Sequence, residues 1–220
     1  MIELRDVSFG YPDRLLFGGV NLSISRGEII LLKGRSGSGK TTLLRLLSLF
    51  LLPTGGVLTL DGRPYGSLRY SELRSRIVYL HQAPVIEQGK SLLENLLMPF
   101  SLAVHKGKKA PEEERIRSLL SEFRLNAELL RREAQGLSAG ELQRAAIIRA
   151  TLLRPEFLLL DEPVANLDPE SAQAIRDWIS RSSLENTGLV IVSHQPLEGI
   201  SNGRDRHLEL AEGKIHERRG

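Results

Sequence analysis

The hydrophobic positions of this chain change their spacing along its length. In the first third, short apolar runs bounded by turn residues predict strands over residues 2–9, 20–25 and 28–33. A leucine-rich run then predicts a helix over 41–52. Residues 56–61 read as a strand entering the Asp61-Gly62 turn, and 77–80 as a short strand entering His81-Gln82. From 91 to 153 the spacing becomes helical; within 112–123, Ile116, Leu119, Leu120 and Phe123 form one stripe. After Pro155 strands and helices alternate: a buried strand at 157–161, a helix at 169–182, a strand at 189–193 and a hairpin at 206–218 around Glu212-Gly213. There is no internal repeat. The order predicts an α/β core with a helical segment inserted at 84–155.

Composition adds bounds. The chain has 220 residues, 41% of them apolar, enough for a substantial core in a single domain. A net charge of +3 suits an anionic ligand without arguing for nucleic acid. The absence of cysteine removes disulfides and thiolate metal sites, and fits a reducing compartment. The first six residues, Met-Ile-Glu-Leu-Arg-Asp, show no apolar signal segment. The most apolar stretch, 43–52, contains Arg45 and is too short to span a bilayer, so a membrane role would come through a partner. The charged segment 106–111 reads as a solvated loop.

The strongest chemical signal is Gly34-Arg35-Ser36-Gly37-Ser38-Gly39-Lys40-Thr41, which satisfies G-x-x-x-x-G-K-[ST]. Its glycines let successive backbone N–H groups turn toward phosphate oxygens, Lys40 supplies a point charge near the β- and γ-phosphates, and Thr41 offers a hydroxyl to Mg²⁺. A strand before the loop and a helix after it complete the context, because the helix N-terminus also faces the phosphates. The ligand is therefore a nucleoside triphosphate. A second element is Phe157-Leu158-Leu159-Leu160-Asp161-Glu162. Asp161, at the carboxyl end of a central strand, can reach the Mg²⁺ coordination sphere; Glu162, diverging from it, can orient and polarise an attacking water as general base.

Just ahead of that strand lies Leu137-Ser138-Ala139-Gly140-Glu141-Leu142-Gln143-Arg144. Ser138 and Glu141 form a capping box opening a helix through Leu153. The segment also resembles the signature sequence of the ABC (ATP-binding cassette) ATPases, with Ala139 in place of the first glycine of the usual pair. Other family elements match in order across essentially the whole chain. Tyr11, in Phe9-Gly10-Tyr11-Pro12, looks like the aromatic residue that stacks on adenine. Gln82 looks like the Q-loop glutamine that links metal and γ-phosphate to the helical subdomain. Ala165-Asn166-Leu167-Asp168 looks like the D-loop, while Asp168-Pro169-Glu170 also reads as an N-cap and first turn. His194 looks like the switch histidine that contacts the γ-phosphate.

The resemblance implies a P-loop NTPase (RecA-like) core with an N-terminal antiparallel β subdomain and an inserted α-helical signature subdomain. Residues 1–83 and 156–220 would form the core and β subdomain, and 84–155 the helical subdomain. ATP and Mg²⁺ are the implied cofactors. Residues 34–42, Thr42 included, would bind nucleotide, with Thr41, Gln82 and Asp161 toward the metal and Glu162, His194 and Gln82 toward hydrolysis. Ser138, Ala139, Gly140 and Glu141 would act from the opposite subunit of a head-to-tail dimer, formed with a second copy or a similar subunit. The leading reading is the ATP-hydrolysing subunit of a membrane transporter. It would sit on the cytoplasmic face of the cell membrane beside a separate permease whose coupling helix meets residues 82–100, with no nucleic acid expected. Segment 82–100 most resembles small bacterial cassettes of metal, particularly iron, export; phosphate or lipoprotein-type cassettes share the same framework. The alternative is a soluble ABC ATPase of DNA repair or translation. Against it, the phosphate loop and signature lie only about a hundred residues apart, with no sustained heptads and a single cassette. A third class, a GTPase switch, would want a guanine-reading Asn-Lys-x-Asp, and the sequence has none.

Overall fold

The structure is a computed structural model, described over residues 1–181, 186–194, 200 and 205–218. Its strands are β1 (Ile2–Tyr11), β2 (Arg14–Ile24), β3 (Ile29–Lys33), β4 (Gly55–Leu60), β5 (Arg63–Pro64), β6 (Ile77–Leu80), β7 (Phe157–Asp161), β8 (Gly188–Val192), β9 (Asp205–Ala211) and β10 (Lys214–Arg218). Its α-helices are α1 (Lys40–Leu47), α2 (Tyr70–Arg76), α3 (Leu92–Leu97), α4 (Glu113–Glu122), α5 (Ala139–Leu152) and α6 (Pro169–Arg181).

Two sheets result. An antiparallel sheet has the order β2-β1-β4-β5, and a larger one the order β10-β9-β3-β8-β7-β6. The larger sheet is parallel from β9 through β6, with β10 closing its edge as a hairpin partner. Every residue of β7 and β8 is buried, as parallel strands covered on both faces must be. Strand alternation divides their side chains between two cores. Leu158, Leu160, Leu189 and Ile191 join Ile29 and Leu31 under the helices. Phe157, Leu159, Val190 and Val192 join Ile30 and Leu32 against α1 and the antiparallel sheet. This is an α/β P-loop NTPase fold with an antiparallel β subdomain on one side and a helical one on the other.

The predicted strands and helices at these positions are present, with informative differences at their ends. The helix predicted over 41–52 stops at Leu47. Leu49 adopts a left-handed φ of 59°, Phe50 N–H donates to Arg45 O (2.8 Å) and Leu49 N–H to Leu46 O (3.1 Å). That pair of bonds is a Schellman closure, and it forms here without the glycine that usually marks one. β2 begins at Arg14 rather than near Val20. Its first half pairs with β1 through several register shifts, which break the two-residue period that alternation relies on. The segment 91–153 is not one helical run: α3, α4 and α5 are separated by short 3₁₀ turns. Two short helices carry no clear periodicity. α2 buries only Leu73, and α3 opens on a Ser91–Glu94 capping box. Ser182, the last residue of the predicted 169–182 helix, lies outside the described residues.

At the amino ends of the parallel strands, four side chains tie the two sheets together. Arg26 donates to Asp61 Oδ1 (3.0 Å) and Glu156 Oε2 (2.9 Å). Arg76 donates to Glu156 Oε1 (2.6 Å) and also meets Asp61. Hydrogen bonding from Arg26, reinforced by Arg76, holds the Asp61 carboxyl well below the usual carboxylate range. A carboxylate depressed in the folded state contributes stability above its unfolded pKa, near ~4, and loses that contribution as pH falls through the folded value. Asp61→Asn should therefore lower the melting temperature at pH 7, and the gap to wild type should shrink at pH 3. Thermal melts at the two pH values decide this; an equal gap would remove the charged cluster as its cause.

Candidate active site at the carboxyl edge of the parallel sheet

The loop between β3 and α1, the last residue of β7 and the residues just beyond β6, β7 and β8 all emerge at the same edge of the sheet. Ligands of open parallel sheets bind at this edge. They line a cleft of about 690 Å³. From the loop and α1 come Ser36, Gly37, Gly39, Lys40, Thr41 and Thr42; from the strand ends come Gln82, Asp161, Glu162 and His194; Tyr11 stands at its mouth. Gly34, Arg35 and Ser38 complete the loop without lining the cleft.

Gly39 is the N-cap of α1 at φ 103°, a conformation that favours glycine, and no side chain caps this end. The first intrahelical bond runs from Leu43 N–H to Gly39 O (2.8 Å). The N–H groups of Lys40, Thr41 and Thr42 are thus left pointing toward the cleft, as an anion requires. Lys40 is buried, and its Nζ donates to the loop carbonyls of Gly34 (2.8 Å) and Arg35 (3.0 Å). Burial lowers the pKa of its ammonium group, while the Glu162 and Asp161 carboxylates oppose that shift. Lys40 Nζ also lies 3.4 Å from His194 Nε2.

The two acids diverge. Asp161 accepts from Thr41 Oγ1 (3.2 Å), whereas Glu162 takes a left-handed φ of 51° and turns toward β8. There Glu162 N–H donates to Val192 O (2.9 Å), and Glu162 Oε2 accepts from the backbone N–H of His194 (3.1 Å). Glu162 Oε1 lies 3.3 Å from His194 Nε2 and accepts no hydrogen bond. Ser38 Oγ is likewise buried without a hydrogen-bond partner. Buried polar atoms are normally satisfied, so Glu162 Oε1, on a residue that lines the cleft, marks capacity left for a ligand.

The signature segment stands apart from this cleft. Ser138 is the N-cap of α5, and the capping box with Glu141 forms in both directions. Ser138 and Ala139 are exposed. Asp168 Oδ1 caps α6 through the Ser171 N–H (2.9 Å), and hydrogen bonding from the Ser171 side chain, then from its backbone N–H, holds the Asp168 carboxyl below its usual range. Ala165 and Asn166, just before it, do line the cleft.

The sequence profile of ABC transporters matches residues 17–165, from within β2 to just beyond β7. The chain belongs to the ABC transporter family. Among its ABC relatives is the lipoprotein-releasing system ATP-binding protein LolD of Legionella pneumophila (strain Paris), 38% identical over 91% of this chain and 88% of that protein. Another is the methionine import ATP-binding protein MetN 1 of Burkholderia ambifaria, 35% identical over 99% of this chain and 64% of that protein. The dimeric, post-hydrolysis structure of the ATP-binding cassette MJ0796 with ADP and Pi superposes with a TM-score of 0.81 at 25% identity, covering all of both chains. The chain is thus an ATP-binding subunit of the ABC type and an ATPase. No helix among the described residues is long and apolar enough to cross a membrane.

Sequence reasoning missed several residues of this ABC site. Arg14 lines the cleft and donates to Gly37 O (3.4 Å), and Leu16 joins it. The irregular β1–β2 pairing that hid the start of β2 hid them as well. Ala139, which stands in place of a glycine, is exposed on the first turn of α5. The crowded position is Gly140, where an added Cβ would collide with Ser171 Oγ and stand 2.9 Å from Asp168 Oδ2. Gly140→Ala should destabilise the chain by about 1–3 kcal/mol, the range for overpacking a close contact. Ser171→Gly in the same chain should restore part of the loss. Denaturant unfolding of the three variants measures it, and an innocuous Gly140→Ala would refute the contact.

Proposed function

We propose that this chain is the ATP-hydrolysing subunit of a membrane transporter and works as a head-to-tail dimer. The observation that carries the reading is the division of the site. The phosphate loop, both carboxylates and His194 share one cleft, while Ser138 and Ala139 are exposed outside it at the start of α5. A nucleotide in the cleft would present its γ-phosphate outward, where the exposed signature end of a second subunit completes the site. The MJ0796 dimer supports this arrangement. The partner is a second copy or a similar subunit.

Tyr11 takes the adenine face, aided by its edge-on contact with Phe9 (centroids 5.4 Å apart). The loop 34–39, the α1 N-terminus and Lys40 hold the phosphates. Thr41 Oγ1, the Asp161 carboxylate and the Gln82 amide oxygen are hard donors in one cleft. They suit Mg²⁺, which takes one or two carboxylates together with substrate phosphates. Bound there, the cation offsets the charge on the β- and γ-phosphates. Glu162 Oε1, with no hydrogen bond to satisfy it, faces the position of an attacking water and accepts its proton. His194 contacts the γ-phosphate, and its backbone N–H fixes the other oxygen of Glu162. ATP between the subunits holds them together, and hydrolysis weakens that hold.

Residues 84–155 act as the helical subdomain, set against a core of 1–83 and 156–220. The permease would be a separate polypeptide, with this chain peripheral on the cytoplasmic face. Segment 82–100 is its proposed contact. Val85 is exposed there, Leu97 and Phe100 are half-buried, and Leu96 is core. Cargo selection lies with the permease in this reading. LolD and MetN 1 are named for lipoprotein release and methionine import respectively. Metal export, suggested by segment 82–100, is the cargo named for neither.

Glu162→Gln should keep ATP binding, lower turnover about a hundredfold or more and accumulate ATP-bound dimers. Phosphate release and size-exclusion chromatography with ATP test both halves, and wild-type turnover would remove Glu162 as base. Purification of the tagged chain from gently solubilised membranes of its host should bring an integral membrane protein at near-equal stoichiometry, whose family narrows the cargo. Ribosomes or DNA-bound factors in its place would support the soluble ATPase instead.

A further inference from the structure

Asp161 is 6% exposed, and its two oxygens have different partners. Oδ1 accepts from Thr41 Oγ1 at 3.2 Å, and Oδ2 accepts from the Tyr79 hydroxyl at 2.9 Å. The register explains the second bond. β6 pairs with β7 so that Tyr79 stands opposite Leu159 and Leu80 opposite Leu160. Alternation then places Tyr79, Leu159 and Asp161 on the same face of the sheet, and a phenol is long enough to cross diagonally to the carboxylate. A phenylalanine at this position would occupy the same space and leave Oδ2 without that donor.

The ring is itself held. It packs on His81 with centroids 4.2 Å apart and meets Phe50 edge-on at 5.8 Å. Phe50 carries the Arg74 guanidinium 3.7 Å from its ring centroid. The hydroxyl is therefore presented by a packed aromatic cluster rather than by a free rotor.

We propose that Tyr79 is a positioning residue for the metal-binding carboxylate, holding Oδ2 of Asp161 so that Oδ1 faces Thr41 and the cation. This rests on the assignment of Thr41 and Asp161 as Mg²⁺ ligands. A carboxylate fixed by a second partner loses little rotational freedom when the cation arrives and cannot turn its other oxygen inward. Such outer partners typically influence metal affinity 10–100-fold.

The test uses the full chain, Mn²⁺ as a paramagnetic substitute for Mg²⁺ and a non-hydrolysable ATP analogue. Tyr79→Phe should bind Mn²⁺ in the analogue complex about 10-fold more weakly by electron paramagnetic resonance titration, near the low end of that range. Its analogue affinity in EDTA should match wild type. In turnover, the Mg²⁺ concentration for half-maximal rate should rise while kcat at saturating Mg²⁺ stays near wild type. Tyr79→Leu, which also removes the ring, should show the same Mn²⁺ loss together with a lower melting temperature. Wild-type Mn²⁺ affinity in Tyr79→Phe overturns the proposal, as does a loss seen only with Tyr79→Leu, which would assign the effect to packing. A wild-type chain that binds the analogue but no Mn²⁺ overturns the ligand assignment itself, and the role of Tyr79 with it.

Discussion

Burial of the central parallel strands on both faces governs the rest of this molecule. β3, β7 and β8 bury all their side chains but Lys33, divided between a core under the helices and a core around α1. A strand committed in this way has no side chain to spare for chemistry along its length. Polar function is confined to where the strands end. Asp161 closes β7, Glu162 and His194 follow β7 and β8, and the phosphate loop follows β3. Parallel pairing places all of these ends at one edge, so residues from separate parts of the chain meet in one cleft. Lys40 and Thr42 are buried for a related reason: α1 is packed between the two sheets, and its N-terminus can open only toward that edge.

The cleft gathers charge that its surroundings do not fully satisfy. Asp161 and Glu162 are both buried, and transferring carboxylates from water is costly unless they are paired. Asp161 has two side-chain donors. Glu162 has a backbone N–H on one oxygen and none on the other, and its backbone is held in a left-handed conformation that costs about 1–3 kcal/mol for a non-glycine residue. Strain and an unspent acceptor at the same residue fit a group kept ready for a reacting water. The opposite end of the sheet shows the contrasting solution. Arg26 and Arg76 face Asp61 and Glu156 there, and the carboxylates are bonded to guanidinium groups at the surface.

Much of this was legible in the sequence because chain-local rules dominate where the chemistry lies. The octapeptide 34–41, the apolar run ending in Asp161-Glu162 and the Ser138–Glu141 box each specify a local conformation, and each formed. What escaped detection depends on long-range or compensating contacts. The early stop of α1 uses Leu49 in a conformation where glycine is expected, so no breaker announces it. The start of β2, and with it Arg14 and Leu16, lies in a bulged pairing that erases alternation. Tyr79 lies within the predicted strand 77–80, and nothing local distinguishes it there. Its bond to Asp161 follows only once the β6–β7 register is known, because that register decides which face the phenol shares.

The signature end of α5 shows how one residue can answer to two constraints. Gly140 is buried in its own subunit against Ser171 and Asp168 at the start of α6, while Ser138 and Ala139 beside it are exposed. Arg144 reinforces this junction from inside, donating to Gly140 O (3.1 Å) and Phe123 O (3.2 Å). The first turn of α5 is therefore fixed to the segment that carries Ala165 and Asn166 into the nucleotide cleft. In the dimer proposed above, a nucleotide held by one subunit would meet the signature of the other, and that signature is packed against its own subunit's D-loop. Each site would then be mechanically tied to the opposite one through the contact between α5 and α6. An alanine is accommodated at 139, on the exposed side of that turn, but the close approach at 140 leaves no room for one.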